Sequence, residues 1–127
     1  FCFHFSIRYH QLERQNMGYT NYWRQKTDIP QGKWKRIKEE YEEYVKPVAG
    51  DLIEDESAPD DITFHGNCET FLFTQKATTE AERSYKEQDI SFHFCKTRGA
   101  QYDLAVWYLL TFINKLCPEI EISRDML

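Results

Sequence analysis

The segment that most limits how this chain can fold runs from Gln101 to Leu116. Its apolar residues recur at three- and four-residue intervals, the spacing of one helix face. A helix that is apolar nearly all round is buried on more than one side or offers a second side to a partner. Pro118 predicts its end. One stripe carries Tyr102, Ala105, Val106, Leu109, Phe112, Ile113 and Leu116, and the opposite side carries Leu104, Trp107, Tyr108 and Leu110.

A second, amphipathic helix is predicted in the first half of the chain. Asp28 is its expected cap and Pro30 fits its first turn. Pro47 together with Gly50 predicts its end. The stripe expected to face the core consists of Trp34, Ile37, Tyr41, Tyr44, Val45 and Val48.

Period-two alternation and β-prone residues predict the strands. The clearest alternation spans Phe1–Tyr9. Gly66–Asn67 is predicted to join two strands in a hairpin by supplying positions with φ > 0. The remaining predicted strands are Tyr19–Trp23, Leu52–Ile53, Ile62–His65, Glu69–Gln75, Ile90–Lys96 and Glu119–Ser123.

The order of these elements lacks the repeating βα alternation of a parallel, doubly wound sheet. We therefore predict an α+β fold in one domain, with a mainly antiparallel sheet of about five to six strands and two main helices packed on it. The length of 127 residues agrees with one domain. Residues 17–127 are the predicted domain and residues 1–16 an N-terminal extension, which adds a strand or lies outside the sheet.

Composition excludes some classes of function. The net charge of −5 repels phosphate, so we expect no nucleic-acid partner. No apolar run reaches the length of a membrane span, so we expect a soluble protein with no membrane partner. The four cysteines form no CxxC pair and no secretory leader is visible, so we expect reduced thiols and a cytoplasmic location.

The stretch Ser91–Thr97 carries the most interesting chemistry. Alternation places Phe92 and Phe94 on one face of a strand and His93 and Cys95 on the other. Side chains two apart on a strand lie about 6.5–7 Å apart, too far for His93 to activate Cys95 directly. A dyad would need a histidine from another strand, and the alternative is a buried cysteine that acts as a small hydrophobe.

A second candidate set combines acids and a base. Glu69, Lys96, Thr97 and Asp103 are predicted to lie where strands end and the last helix begins, a common location for pockets. The alternative is that Asp103 interacts with the helix dipole and the others form an ion pair at the strand ends.

Metal and cofactor sites are not predicted. His65, Cys68 and Glu69 are close in sequence, as are His93 and Cys95, but neither group has the spacing of a standard metal site. Phosphate-loop, dinucleotide-binding and common hydrolase motifs are absent from the sequence. We therefore expect no metal and no cofactor.

Two surfaces are candidates for binding. The acidic run Glu54–Asp61, with Asp55 and Glu56, is a solvated loop or a docking surface for a basic partner. Trp107 and Tyr108 lie on the second side of the last helix, which a protein partner or a second copy could cover.

Short motifs resemble those of a group of small proteins from phage and large-virus genomes and from some bacteria. The motifs are Met17-Gly-Tyr-Thr-Asn-Tyr-Trp, Trp34–Ile37, Cys68-Glu-Thr-Phe71, Phe94-Cys-Lys-Thr97 and Tyr102-Asp-Leu-Ala-Val106. The resemblance covers roughly Met17 to Asp125 and implies one domain, but it says nothing about catalysis. It leaves the first sixteen residues outside the family.

The sequence is compatible with three functions. The favoured hypothesis is a non-enzymatic accessory or interaction protein, of viral origin on the resemblance, acting in the host cytoplasm or the virion. A small hydrolase or transferase that uses Cys95, or a pocket of Glu69, Lys96 and Asp103, is less favoured because catalytic motifs are absent. A structural subunit of a larger particle is the third.

Overall fold

A computed structural model describes residues 19–83 and 89–125. The predicted strand Phe1–Tyr9, and the whole predicted extension of residues 1–16, lie outside the described residues. In the part of the chain that is described, no helix combines the length and the apolarity needed to cross a membrane.

The described chain contains six strands and two main helical segments. The first segment runs from α1 through a π-helical turn into α2, and a 3-10 turn follows at Gly50, where φ is positive; the second segment is α3. In chain order the elements are β1 (Thr20–Arg24), α1 (Gln31–Glu40), the π turn (Tyr41–Val45), α2 (Lys46–Ala49), the 3-10 turn (Gly50–Leu52), β2 (Glu54–Asp55), β3 (Asp61–His65), β4 (Phe71–Thr74), a 3-10 turn (Glu80–Glu82), β5 (Phe92–Lys96), α3 (Asp103–Leu116) and β6 (Glu121–Asp125).

The strands form two antiparallel sheets of three, in the orders β5-β1-β6 and β2-β3-β4. In the first sheet Tyr22 lies opposite Phe94 on one side and Ser123 on the other. In the second sheet Ile62 lies opposite Phe73, so β3 and β4 form the predicted hairpin. The predicted α+β fold with antiparallel strands and two main helices is confirmed.

Aromatic side chains fill the core between these layers. Trp23 of the first sheet packs on Phe71 of the second, with ring centroids 5.3 Å apart. Tyr41 of the first helical segment stacks on Phe64 at 5.8 Å. Helix α3 buries one side completely, through Val106, Leu109, Leu110 and Ile113. These contacts hold both sheets and both helical segments on one apolar core.

The start of the first helix differs from its prediction. Pro30 occupies the cap position and no side chain caps the helix. Asp28 instead accepts a hydrogen bond from the backbone N–H of Ala77, at 2.8 Å. The predicted cap is therefore wrong, because Asp28 ties the entry of α1 to a distant loop.

The buried stripe of the first helical segment shifts at its π turn. At the end of that turn, the N–H of Lys46 donates to the Tyr41 carbonyl, and each such turn holds one residue more per hydrogen bond than an α-helical turn. Pro47 follows shortly after the turn and offers no N–H to the helix. Tyr44 and Val48, which were predicted to face the core, are 57% and 79% exposed.

The hairpin turn at Gly66 needs glycine for a reason that the sequence does not reveal. Among the described residues, positive φ angles occur at Gly50, Gly99 and Arg98, so the prediction for Gly66 and Asn67 is wrong. A β-carbon on Gly66 would instead overlap the ring of Tyr102. Close approach of a buried aromatic ring therefore requires glycine here.

Candidate functional site

The two phenylalanines of strand β5 face outward, whereas Cys95 and Thr97, the residue just after the strand, face the core. Phe92 and Phe94 are 39% and 57% exposed, whereas Cys95 and Thr97 are fully buried. The predicted alternation is therefore present, with the Cys95 face packed against the core.

Cys95 lies in surroundings that suppress its reactivity. Its Sγ lies 3.7 Å from the Glu69 carbonyl oxygen and 3.8 Å from that of Thr70. Burial, reinforced by the negative charge of Glu69, raises the pKa of the Cys95 thiol to about 12. Because the thiolate is the nucleophile, a catalytic role requires an accessible thiol with a low pKa, and Cys95 has neither.

The two described histidines near this region have other neighbours. His65 contacts Thr70 through Nδ1 at 2.7 Å and Glu56 through Nε2 at 3.0 Å. His93 stacks on the Trp23 ring, with centroids 5.7 Å apart, and borders a cavity of about 660 Å³. The cavity has a mixed lining that includes Gln25, Asp28, Asp60, Thr74 and Lys76. The contacts of His65 are those of an exposed surface group.

Glu69 and Lys96 lie close together, as predicted, but the contacts involve the backbone of Lys96 and not its ammonium group. The Glu69 carboxylate accepts the N–H of Lys96 at 2.7 Å, and the Glu69 N–H donates to the Lys96 carbonyl at 3.3 Å. The Tyr102 hydroxyl donates to the Glu69 carbonyl at 2.6 Å. Glu69 thus satisfies backbone groups at the outer edge of β5, which is a structural role.

Asp103 is the centre of a buried polar cluster. Its Oδ1 accepts hydrogen bonds from Asn21 Nδ2 at 2.8 Å and Thr97 Oγ1 at 2.6 Å. Its Oδ2 pairs with the Arg124 guanidinium, which also lies 4.7 Å from the centre of the Trp107 ring. These contacts of the carboxylate join α3 to β1, to β6 and to the end of β5, so the cluster fixes the helix on the sheet.

The acidic run Glu54–Asp61 is more ordered than predicted. Its first two residues form β2, which pairs with β3, so the predicted loop is in part a strand. Asp55 accepts hydrogen bonds from Tyr41 at 2.7 Å and from the Ser57 hydroxyl at 2.6 Å. Burial alone would raise the pKa of Asp55, but these bonds outweigh it and lower the pKa. Asp55 is engaged within the chain, whereas Glu56 stays exposed beside His65.

The two predicted binding residues of α3 point in different directions. Trp107 is partly buried beneath Arg124. Tyr108 is 44% exposed, and its hydroxyl donates to the buried carboxylate of Glu40. Of these two residues, only Tyr108 contributes to the groove described next.

An apolar groove runs between the π turn with α2 on one side and α3 on the other. We call it the interhelical groove; it has a volume of about 400 Å³. Four of its lining side chains belong to the large, exposed apolar residues of the protein: Tyr44, Val48, Leu52 and Tyr108. Its floor and remaining walls come from Val45, Ala49, Gln101, Tyr102, Leu104 and Ala105. A pocket of this size with an almost wholly apolar lining is the usual form of a binding site for an apolar group.

Three of the four exposed residues of this groove differ from the prediction, because the sequence pattern places Tyr44 and Val48 in the core and Leu52 in a strand. The available signal was Pro47, since a proline inside a helical pattern commonly marks a kink or an irregular turn. Such a turn changes which residues face outward.

A second exposed apolar patch lies on the outer face of the first sheet. Tyr22 stacks on Phe92 at 5.6 Å, and Phe92 lies 6.4 Å from Phe94. The Arg24 guanidinium lies 5.1 Å from the centre of the Phe92 ring and pairs with Asp89. These rings therefore cover one another in part.

Within residues 19–83 and 89–125, no group of three or more His, Cys, Asp or Glu side chains is placed so that it could hold a metal ion. The three described cysteines, Cys68, Cys95 and Cys117, are free.

The comparisons with known proteins found no matching family model, no matching curated protein and no matching solved structure. The resemblance to phage, large-virus and bacterial proteins therefore stays a prediction.

Proposed function

We propose that this protein is a non-enzymatic interaction module that binds an apolar helical segment of a protein partner in the interhelical groove. The observation that supports this proposal is the clustering of Tyr44, Val48, Leu52 and Tyr108 around one apolar cavity. Exposed apolar side chains that are scattered singly need no explanation, but a contiguous group around a cavity is typical of an interaction site.

The shape of the groove favours a helix as its occupant. Tyr44, Val48 and Leu52 follow one another at four-residue spacing and form a ridge along one wall, with one residue each in the π turn, in α2 and in the 3-10 turn that follows. Leu104 and Tyr108 repeat that spacing on the opposite wall. A helix with apolar side chains at i, i+4 and i+8 fits between two such ridges, the helix-in-groove mode of recognition.

The enzymatic alternative has less support. Cys95 is buried with a raised pKa. The carboxylate of Glu69 is engaged by the backbone of β5, and that of Asp103 is fully buried within its own cluster. On the resemblance to viral proteins, an interaction module of this kind would act as an accessory protein in the host cytoplasm or in the virion.

Selection of helical peptides tests this proposal. A phage-displayed library of amphipathic helices is selected on the wild-type protein and counter-selected on the variant Val48→Asp. We expect enriched peptides with apolar residues at four-residue spacing, which lose binding to Val48→Asp. The matched control is Leu72→Asp, because Leu72 is 50% exposed on β4 and does not line the groove. A selection that yields no peptides dependent on Val48 would refute the proposed function.

A further inference from the structure

We propose that the helical segment that fills the interhelical groove is residues 41–52 of a second copy of this chain. The proposal rests on the function proposed above and names its partner. The groove requires a helical ridge with apolar side chains at four-residue spacing, and the ridge of Tyr44, Val48 and Leu52 on its own rim has that form.

The ridge and the groove lie side by side, which is the arrangement that a twofold pair needs. In an isologous interface the same patch serves both copies, so each must present a projection next to a matching cavity. Val48 is 79% exposed, the most exposed large apolar side chain among the described residues. If the ridges pair antiparallel about Val48, Tyr44 of one copy meets Leu52 of the other, and both grooves are filled by the same contact.

The area of the patch agrees with a weak dimer. Half-exposed tyrosines contribute roughly 100 Å² each, since a buried aromatic residue covers about 150–250 Å². Val48 and Leu52 each cover roughly 60–120 Å² when fully buried, so the four exposed side chains supply at most roughly 350 Å² per copy, or about 700 Å² for two copies. Because about 56–65% of an interface is apolar, the total would be at most about 1,100–1,250 Å², at the lower limit for specific complexes.

The effect of salt on binding should differ between a second copy of this chain and a basic foreign helix. Each copy carries a net charge of −5, so two copies repel one another at long range, and added salt screens that repulsion. Glu43 and Asp51 are exposed and directly precede Tyr44 and Leu52. A basic foreign helix would be attracted by these acids, so salt would weaken its binding. The direction of the salt effect therefore distinguishes the two partners.

Sedimentation velocity of the full chain is the experiment, from about 10 µM to about 1 mM, a range suited to weak association. We expect the mass to rise from that of the 15.3 kDa monomer towards twice that value, and to rise further in about 500 mM salt than in about 50 mM. Val48→Lys should stay monomeric throughout. Leu72→Lys, which places the same charge on the surface outside the groove, should behave as wild type.

Cross-linking locates the contact. Under mild air oxidation, in which dioxygen takes up the two electrons and two protons that the thiols lose, Val48→Cys should form an intermolecular disulfide between the two introduced cysteines, because the proposed twofold axis passes near this position. Peptide mass spectrometry identifies the linked pair. Leu72→Cys should form no such disulfide. Far-UV circular dichroism checks that each variant is folded.

Two results would overturn the proposal. One is a wild-type protein that stays monomeric over the whole range, and the other is a dimer that Val48→Lys leaves unchanged. In either case peptides that still depend on Val48 would leave the proposed function standing with a foreign partner. Absence of Val48-dependent peptide binding would refute the proposed function, and this choice of partner with it.

Discussion

Replacing Asp103 by alanine would leave the guanidinium of Arg124 without its counter-charge. The side chain of Arg124 is only 18% exposed, and its guanidinium lies 4.7 Å from the centre of the Trp107 ring and 5.9 Å from that of Tyr19. The same substitution removes the acceptor of Asn21 Nδ2, in a side chain that is fully buried. The variant therefore breaks the ion pair and leaves buried donors unsatisfied at once.

The magnitude follows from these contacts. Removing one partner of a buried ion pair costs about 3–5 kcal/mol, because the remaining charge is uncompensated. The free energy of unfolding of a domain is about 5–15 kcal/mol, so Asp103→Ala should remove a large fraction of it. With a urea m-value of about 2 kcal/mol/M, the unfolding midpoint should fall by roughly 2 M.

Urea unfolding followed by circular dichroism measures this change, and a double-mutant cycle isolates the pair. In Asp103→Leu combined with Arg124→Met no charge remains buried, so the loss should be clearly smaller than the sum of the two single losses. Asp125→Ala changes an exposed acid on the same strand as Arg124 and should alter stability by less than about 0.5 kcal/mol. A loss below about 1 kcal/mol for Asp103→Ala, or strict additivity in the cycle, would refute the reasoning.

Three further predictions concern other parts of the chain. Cys95 should be alkylated at pH 8 only when the protein unfolds, because its thiol is buried and its pKa is raised to about 12; residue-resolved mass spectrometry measures this. Gly66→Ala should destabilise the fold by roughly 1–3 kcal/mol because its methyl group overlaps a buried ring, as urea unfolding will show. The hydrogen bond to Glu56 raises the pKa of His65, so NMR titration should give a lower pKa for His65 in Glu56→Gln. The stability that this pair adds is present below the ordinary histidine pKa of about 6.5 and is lost as the pH rises through the folded-state pKa.

Each of these has a control or a contrary outcome. Fast native-state alkylation of Cys95 would show that the strand opens without global unfolding. For Gly66 the matched control is Gly32→Ala, where a β-carbon meets nothing within 4 Å; this exposed helical position should gain up to about 1 kcal/mol. Equal losses in both glycine variants would contradict the role of close packing. An unchanged His65 pKa in Glu56→Gln would show that the carboxylate does not interact with the ring in solution.

Local patterns were sufficient for the fold class and for most elements. The periodicity of residues 101–116 and the stop at Pro118 predicted α3, and the alternation around Phe92–Lys96 predicted β5. Which face of β5 would be buried did not follow from the alternation. The space inside is filled by large rings from β1 and β4, so the small side chains of Cys95 and Thr97 fit there and Phe92 and Phe94 face outward.

The candidate polar site could be predicted only as a list of residues. Asn21 and Asp103 are 82 positions apart, and Arg124 was not among the candidates. Contacts between residues so distant depend on the arrangement of the strands, which sequence patterns do not determine. The residue types therefore suggested a site, and the topology showed a cluster that holds α3 on the sheet.

The interhelical groove depends on a single irregular turn. With uniform α-helical spacing, Val48 would continue the buried stripe of Trp34, Ile37 and Tyr41, and no ridge would face outward. The extra residue of the π turn rotates the following positions, so Ala49 becomes buried and Val48 exposed. A change that exposes valine and buries alanine loses apolar burial in the free protein. Binding of a partner in the groove would recover this burial, and this makes the π turn the element that links the fold to the proposed function.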